Sequence, residues 1–250
     1  MASKPKRPGS SGLRAGDNKR NLATQIGLVA IVVVFAVGLL GWIVWNGKHG
    51  KVAADAGEGI RVTSSKLVTK DGTDEPKAVV TFYEDFLCPA CGNLERAFGP
   101  TVSRLIDSGA IAADYHMVAI VSGRDDYSKR AGAAAYCVAD ESNDAFRRFH
   151  TALYTKELQP DEMDLSFPDN ARLIELARQA GAGGTVPACI NSGKYLKMVG
   201  GMVAASGIHG TPTLRINGED YTPSTPEALV AKIREIVGDV PGMDAPAQGS

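Results

Sequence analysis

The sequence predicts an α/β protein: a strand–helix–strand unit, a helical insertion, then a hairpin and a closing helix, with a single membrane-spanning helix ahead of them. Three observations carry this. Ala78–Tyr83 reads as a β-branched, aromatic strand, the apolar stretch from Thr81 stops at Cys88-Pro89-Ala90-Cys91, and an amphipathic helical pattern follows. Roughly 80 Ala-rich residues of helical period separate that unit from a further strand that ends in Asn217-Gly218. Near the N-terminus, the residues from Ile26 to Trp45 carry no charge.

The chain has 250 residues, 44% hydrophobic and 22% charged, which suits a globular protein of one or two domains. Net charge is −1, unevenly spread. Residues 1–25 hold Lys4, Lys6, Arg7, Arg14, Lys19 and Arg20 against Asp17, so this segment is about +5 and the remainder about −6. A mildly acidic body speaks against nucleic-acid binding, which calls for a basic footprint. The four cysteines all follow residue 87, an even number that suits pairing.

Residues 1–25 form a basic segment with little to bury, and their first part reads as disordered. Residues 26–45 follow as the span. Twenty helical residues cover ~30 Å, the thickness of a bilayer's hydrocarbon core. Trp42 and Trp45 sit at its far end, where interfacial aromatics belong. A buried core helix seldom runs so long without a charge. A cleaved signal peptide has a shorter apolar region, and Ala54-Asp55-Ala56 lies well past Trp45. An uncleaved anchor fits better. Basic residues before the span outnumber Lys48 and Lys51 after it, which sets the N-terminus in the cytoplasm and the rest outside.

Residues 46–59 read as a tether. Ile60–Val68 has weak strand character, suited to a sheet edge, and Asp71–Pro76 is a turn. Ala78–Tyr83 is a central strand. Leu94, Ala97, Phe98, Val102, Leu105 and Ile106 fall at helical spacing, with Gly99-Pro100 predicting a kink or break. Ile111–Val121 is the next strand, parallel to the first through a right-handed crossover. Helical windows near 128–140, 143–157, 170–181 and 190–206 make up the insertion, residues 128–207. Thr213–Ile216 is a strand, Asn217-Gly218 a two-residue hairpin turn, and a short strand near Asp220–Thr222 returns. Ser224-Thr225-Pro226-Glu227 starts the last helix with a hydroxyl cap and an early proline, and it ends at Gly238. Residues 239–250 read as a flexible tail.

The chemistry centres on the cysteine pair. A thiol at the first turn of a helix sees unpaired N–H groups and the positive end of the helix dipole, which favour its thiolate. A Cys-x-x-Cys at the strand-to-helix junction of a strand–helix–strand unit indicates a thioredoxin-like redox site. Residues 82–91, Phe-Tyr-Glu-Asp-Phe-Leu-Cys-Pro-Ala-Cys, also resemble the strand-end motif of the DsbA-like thiol:disulfide oxidoreductases. Gly210-Thr211-Pro212-Thr213-Leu214 looks like that family's cis-proline loop, and residues 128–207 match its inserted helical domain. The likeness covers about residues 60–238 and is to the membrane-anchored actinobacterial type.

That resemblance implies a thioredoxin-like fold, built from 60–127 and 208–238 around the insertion. It implies a catalytic pair, Cys88 and Cys91, supported by Pro89, Ala90, Thr211 and Pro212. Cys88 is the more exposed sulfur that a substrate attacks, and Cys91 its resolving partner. Pro89 presets a helical φ. Neither Pro89 nor Ala90 can donate a side-chain hydrogen bond to the thiolate, so the oxidant is milder than relatives with His at the position of Ala90. One departure matters: where such sites often carry a buried acid, six residues before the first cysteine, this chain has Phe82. Glu84 or Asp85 is the replacement proton relay, and strand alternation puts Glu84 on the Phe82 face.

Cys137 and Cys189 lie in the insertion and read as a structural disulfide, against two buried free thiols or a second redox pair. A zinc reading of the cysteine pair lacks histidines at suitable spacing; His209 is the one near the site, a loop histidine, so no metal and no cofactor are called for. The expected activity is donation of the Cys88–Cys91 disulfide to reduced secreted or cell-envelope proteins. The partners implied are those substrates and a quinone-linked membrane protein, DsbB-like or related to vitamin K epoxide reductase, that reoxidises the pair; the protein itself is expected to be a monomer. The alternatives are a disulfide isomerase, a reductant, or a redox-silent membrane-anchored module that binds unfolded chains.

Overall fold

The computed structural model describes residues 58–121 and 125–244. The apolar span at 26–45, the basic segment before it and most of the tether lie outside the described residues. Among the described residues, no helix is long and apolar enough to cross a membrane.

A five-stranded mixed sheet forms the frame, in the order β1-β3-β2-β4-β5. The strands are β1 (Ile60–Val62), β2 (Val79–Glu84), β3 (Ala112–Met117), β4 (Thr213–Ile216) and β5 (Glu219–Tyr221). β2 is central, parallel to β3 and antiparallel to β4. Its side chains alternate as its position demands: Val80, Phe82 and Glu84 are sealed off, while Val79 and Thr81 are half-buried. The short β1 pairs antiparallel with β3 at one edge, and stops at Val62 rather than continuing to Val68.

Helix α1 (Pro89–Ser108) crosses from β2 to β3. It runs through Pro100 without a break. The apolar stripe of Phe98, Val102, Leu105 and Ile106 is buried on both sides of that proline, so packing outweighs the lost backbone bond. Gly109 ends the helix at φ 84°, and a side chain there would strike the Lys66 carbonyl at 2.2 Å. β3 then ends at Met117, short of Val121, because Ile120 and Val121 turn their N–H groups onto the Asp85 carboxylate.

The insertion holds α2 (Tyr127–Glu141), α3 (Asn143–Leu153), α4 (Asn170–Gln179), α5 (Val186–Ser192) and α6 (Leu196–Ser206). The window at 190–206 is thus two helices, the first starting earlier, with Gly193 in the left-handed region at φ 66° between them. α2 is the hub: it packs on the other four and touches β3. Cys137 of α2 and Cys189 of α5 form a disulfide across it.

Asn217 (φ 51°) and Gly218 (φ 88°) make the β4–β5 turn, and Asn217 Oδ1 also accepts the Val79 N–H at 2.8 Å. Thr225 caps α7 (Pro226–Val237) by accepting from the Ala228 N–H. Residues 239–244 do not trail away as a free tail. Met243 is buried, and its carbonyl accepts from Arg104 Nε at 3.0 Å.

Candidate active site

The sheet brings two distant loops to one end. Tyr83, near the end of β2, is paired in register with Thr213, at the start of β4. The turn leading to Cys88 and the turn holding Thr211-Pro212 therefore leave the sheet side by side. The Thr211–Pro212 peptide is cis. Cys88 is the N-cap of α1 and Pro89 its first residue. The Cys88 thiol donates to the Thr211 carbonyl at 3.4 Å, so that carbonyl is occupied in the dithiol form described here.

The two sulfurs sit in opposed surroundings. Cys88 keeps a small exposed surface at the helix start, and Cys91, one turn in, has none. The Cys88 thiol is drawn down to about 6. The Cys91 thiol, donating to it, is the largest cause; the Thr211 side chain and the N–H groups of Cys91 and Ala90 add to this, against burial. Cys91 is pushed far up, first by burial, then by its bond to Cys88 and the charge of Glu84. The assistance from Ala90 is thus through its backbone N–H, which sequence reasoning about side chains passed over.

The structure separates the two carboxylates of β2's end. Asp85 is buried, and its oxygens are taken by three backbone N–H groups: Leu87 on Oδ1, Ile120 and Val121 on Oδ2, each at 2.9 Å. It fastens the loops, and its own backbone N–H points to the Cys91 sulfur. Glu84 faces inward on the side of Phe82, whose ring stacks on Tyr115 at 5.0 Å. Burial raises the Glu84 carboxyl to about 8, with the nearby Cys88 thiolate adding to the shift.

Two further groups join Glu84. Glu95 follows Cys91 by four residues, which puts both on one face of α1. His150 comes from α3, walled by the rings of Phe86, Tyr115, Phe146 and Tyr154. Its Nε2 is 2.8 Å from Glu84 Oε2 and its Nδ1 3.7 Å from Glu95 Oε2. Burial raises the Glu95 carboxyl well above its ordinary range, with the charge of Glu84 adding to this, and burial lowers the His150 imidazole. Helical spacing could have flagged Glu95; nothing local in the sequence points to His150, which is 66 residues from Glu84.

These three side chains place potential metal-ligand atoms within 4.8 Å of one another. The imidazole, however, lies between the carboxylates with opposite nitrogens facing them. Only the Glu84 side is within hydrogen-bond distance, and a metal held by both carboxylates would bind a single ring nitrogen rather than sit across two. Glu95 also lines a cavity of about 830 Å³ between α1 and α3, on which Arg96, Arg104 and Arg147 open. His209 is exposed.

The arrangement performs thiol–disulfide exchange: one accessible sulfur that ionises easily, one buried sulfur that does not, and a buried acid beside the second. Comparison with known proteins agrees. The sequence profile of a family described as thioredoxin matches residues 69–235. DsbA of Mycobacterium tuberculosis, in its oxidised crystal structure, is 67% identical with a TM-score of 0.74, over 76% of this chain and 97% of that one. A reduced disulfide bond oxidoreductase (DsbG) of Mycobacterium tuberculosis is 64% identical with a TM-score of 0.74, over 80% and 100%. The serine/threonine-protein kinase PknE of Mycobacterium tuberculosis is 30% identical over 129 residues; this chain spans only 23% of the kinase's length.

Proposed function

This chain belongs to the thioredoxin family and is a DsbA-like thiol–disulfide oxidoreductase, and from that premise we propose that it acts as an extracytoplasmic oxidant, passing the Cys88–Cys91 disulfide to reduced secreted or cell-envelope proteins. The observation that carries the direction is the asymmetry of the two sulfurs. A Cys88 thiol at about 6 lies between thioredoxin, ~7, and a strongly oxidising DsbA, ~3.5. A stabilised thiolate favours the reduced form and so makes the disulfide oxidising, here moderately. This agrees with Pro89 and Ala90 offering no side-chain donor.

The chemistry runs in two exchanges. A substrate thiolate attacks Cys88 Sγ, the Cys88–Cys91 bond breaks, and Cys91 leaves with the electron pair. Burial makes that thiolate costly, and Glu84, protonated at neutral pH, supplies a proton to it. A second thiolate of the substrate attacks its own sulfur in the mixed disulfide, and Cys88 leaves as a stabilised thiolate. The substrate loses two electrons and the pair gains them. Reoxidation passes the two electrons on to a membrane partner, DsbB-like or related to vitamin K epoxide reductase, and through it to a quinone, which is reduced. The proton on Cys91 then goes back to Glu84, with His150 and Glu95 extending the path.

The span at 26–45, the basic segment before it and the aromatic residues at its end support a single-pass anchor with the catalytic part outside. Membrane fractionation and protease accessibility in intact cells test this. Release of a mature form starting near residue 57 would end the anchor reading. The reduction potential of Cys88–Cys91 tests the direction: a value near that of thioredoxin would favour the reductant reading over the oxidant one. Oxidative refolding of a reduced protein by Cys88→Ser tests the agent, because a redox-silent binding module would keep its effect without that sulfur.

A further inference from the structure

Gln159 follows α3 and reaches back to the start of α1. Its Nε2 donates to the Cys88 carbonyl at 3.0 Å and to the Phe86 carbonyl at 3.3 Å. Its Oε1 accepts from Arg96 Nη1 at 3.0 Å, and that same nitrogen donates to the Tyr154 carbonyl at 2.6 Å. Arg96 Nη2 is fixed in turn by Asn93 Oδ1 at 2.8 Å. The contact needs Gly92: a Cβ there would fall 1.9 Å from Gln159 Oε1 and 2.7 Å from Arg96 Nη1. Glycine inside a helix costs about 1 kcal/mol against alanine. In α1 that cost leaves the slot Gln159 occupies.

We propose that Gln159 is a positioning residue for Cys88, by which the helical insertion holds the 86–88 turn and sets the stability of the Cys88 thiolate. The inference rests on the oxidoreductase reading above. The turn is pinned at both ends. The Cys88 N–H donates to the Asp85 carbonyl at 2.9 Å, and the Cys88 carbonyl accepts from the Gly92 N–H at 3.2 Å. Gln159 takes the second lone pair of that carbonyl and one of Phe86. Gln159's N–H groups partly offset the negative ends of these two carbonyls and fix the turn that presents the sulfur to the N–H groups of Ala90 and Cys91.

The test uses the purified full chain, reduced, and follows thiolate absorbance against pH and the exchange equilibrium with glutathione. Gln159→Met keeps the length and removes both donors. It raises the ionisation midpoint of Cys88 by about one pH unit and lowers the equilibrium constant for reducing the disulfide about tenfold, ~30 mV for two electrons. Gly92→Ala evicts Gln159 sterically while improving helix propensity, so it reads the same shift even if Gln159→Met fails to fold. In the double variant the two shifts do not add. An unchanged midpoint and equilibrium in folded Gln159→Met, or in Gly92→Ala, overturns the proposal, as does simple additivity. Failure of the wild-type protein to exchange with glutathione would instead sink the oxidoreductase reading, and the titration still judges Gln159.

Discussion

Glu84 and His150 share a 2.8 Å contact in a region sealed from solvent, joining the last residue of β2 to the third turn of α3. Glu84 occupies the inward face two residues beyond Phe82, as the sheet's alternation requires. The thioredoxin-like frame and the helical insertion thus each supply part of the buried chain beneath Cys91. One oxygen of Glu84 and one of Glu95 are buried without a hydrogen bond of good geometry, and the two carboxyls influence each other directly.

Cys88 should alkylate with an ionisation midpoint near 6, while Cys91 stays unlabelled through the neutral range. Cys88→Ser abolishes exchange. Cys91→Ser accumulates mixed disulfides through Cys88, visible by mass spectrometry.

Glu84→Gln should slow formation of the mixed disulfide about 10²-fold at neutral pH, because Cys91 then leaves without a nearby acid. Stopped-flow mixing with a reduced peptide at several pH values checks this. The wild-type rate should fall as pH rises past about 8, where Glu84 gives up its proton, and the variant should lose that limb.

Asp85→Ala should act on stability rather than on proton transfer. It strands three backbone N–H groups, at Leu87, Ile120 and Val121. The expected loss is about 2–4 kcal/mol by denaturant titration. Exchange at full native occupancy should change far less than in Glu84→Gln.

Replacing Cys137 and Cys189 together by Ser should cost about 4 kcal/mol from loop closure across 52 residues. The active-site exchange rate should persist below the lowered melting point. Scanning calorimetry with parallel activity assays separates the two effects.

The buried acids give a pH dependence of stability with a definite sign. Glu84 in the folded chain holds its proton up to about 8, whereas an unfolded carboxyl releases it near pH ~4. The folded form therefore binds more protons across that window, and stability falls as pH rises through it. Cys88, drawn down to about 6, acts oppositely between there and pH ~8.5. In a Cys88→Ser background, stability should fall more steeply as pH rises, and adding Glu84→Gln should make that fall shallower, leaving the part due to Glu95.

Much of the fold is legible along the chain because its signals are local. β2 declares itself by β-branched and aromatic residues, the hairpin by Asn217-Gly218, and α7 by Thr225 and Pro226. Misplaced boundaries trace to contacts from afar. α1 survives Pro100 because its buried stripe continues beyond it. β3 stops early because Asp85 captures the next two N–H groups. Met243 is buried through a contact with Arg104 that no tail composition encodes.

By itself the sequence determined the α/β order, the position of Cys88 at a helix start and the choice of Cys88 and Cys91 as the candidate pair. Those follow from periodicity, turn residues and spacing within a few residues. Only the tertiary structure decided that Glu84 is buried with Glu95 and His150 while Asp85 is tied to backbone N–H groups, and that Gln159 grips the Cys88 turn. Residues 66 and 71 positions apart meet in these contacts. Their protonation follows from burial, which no stretch of chain possesses until the sheet and the insertion close over it.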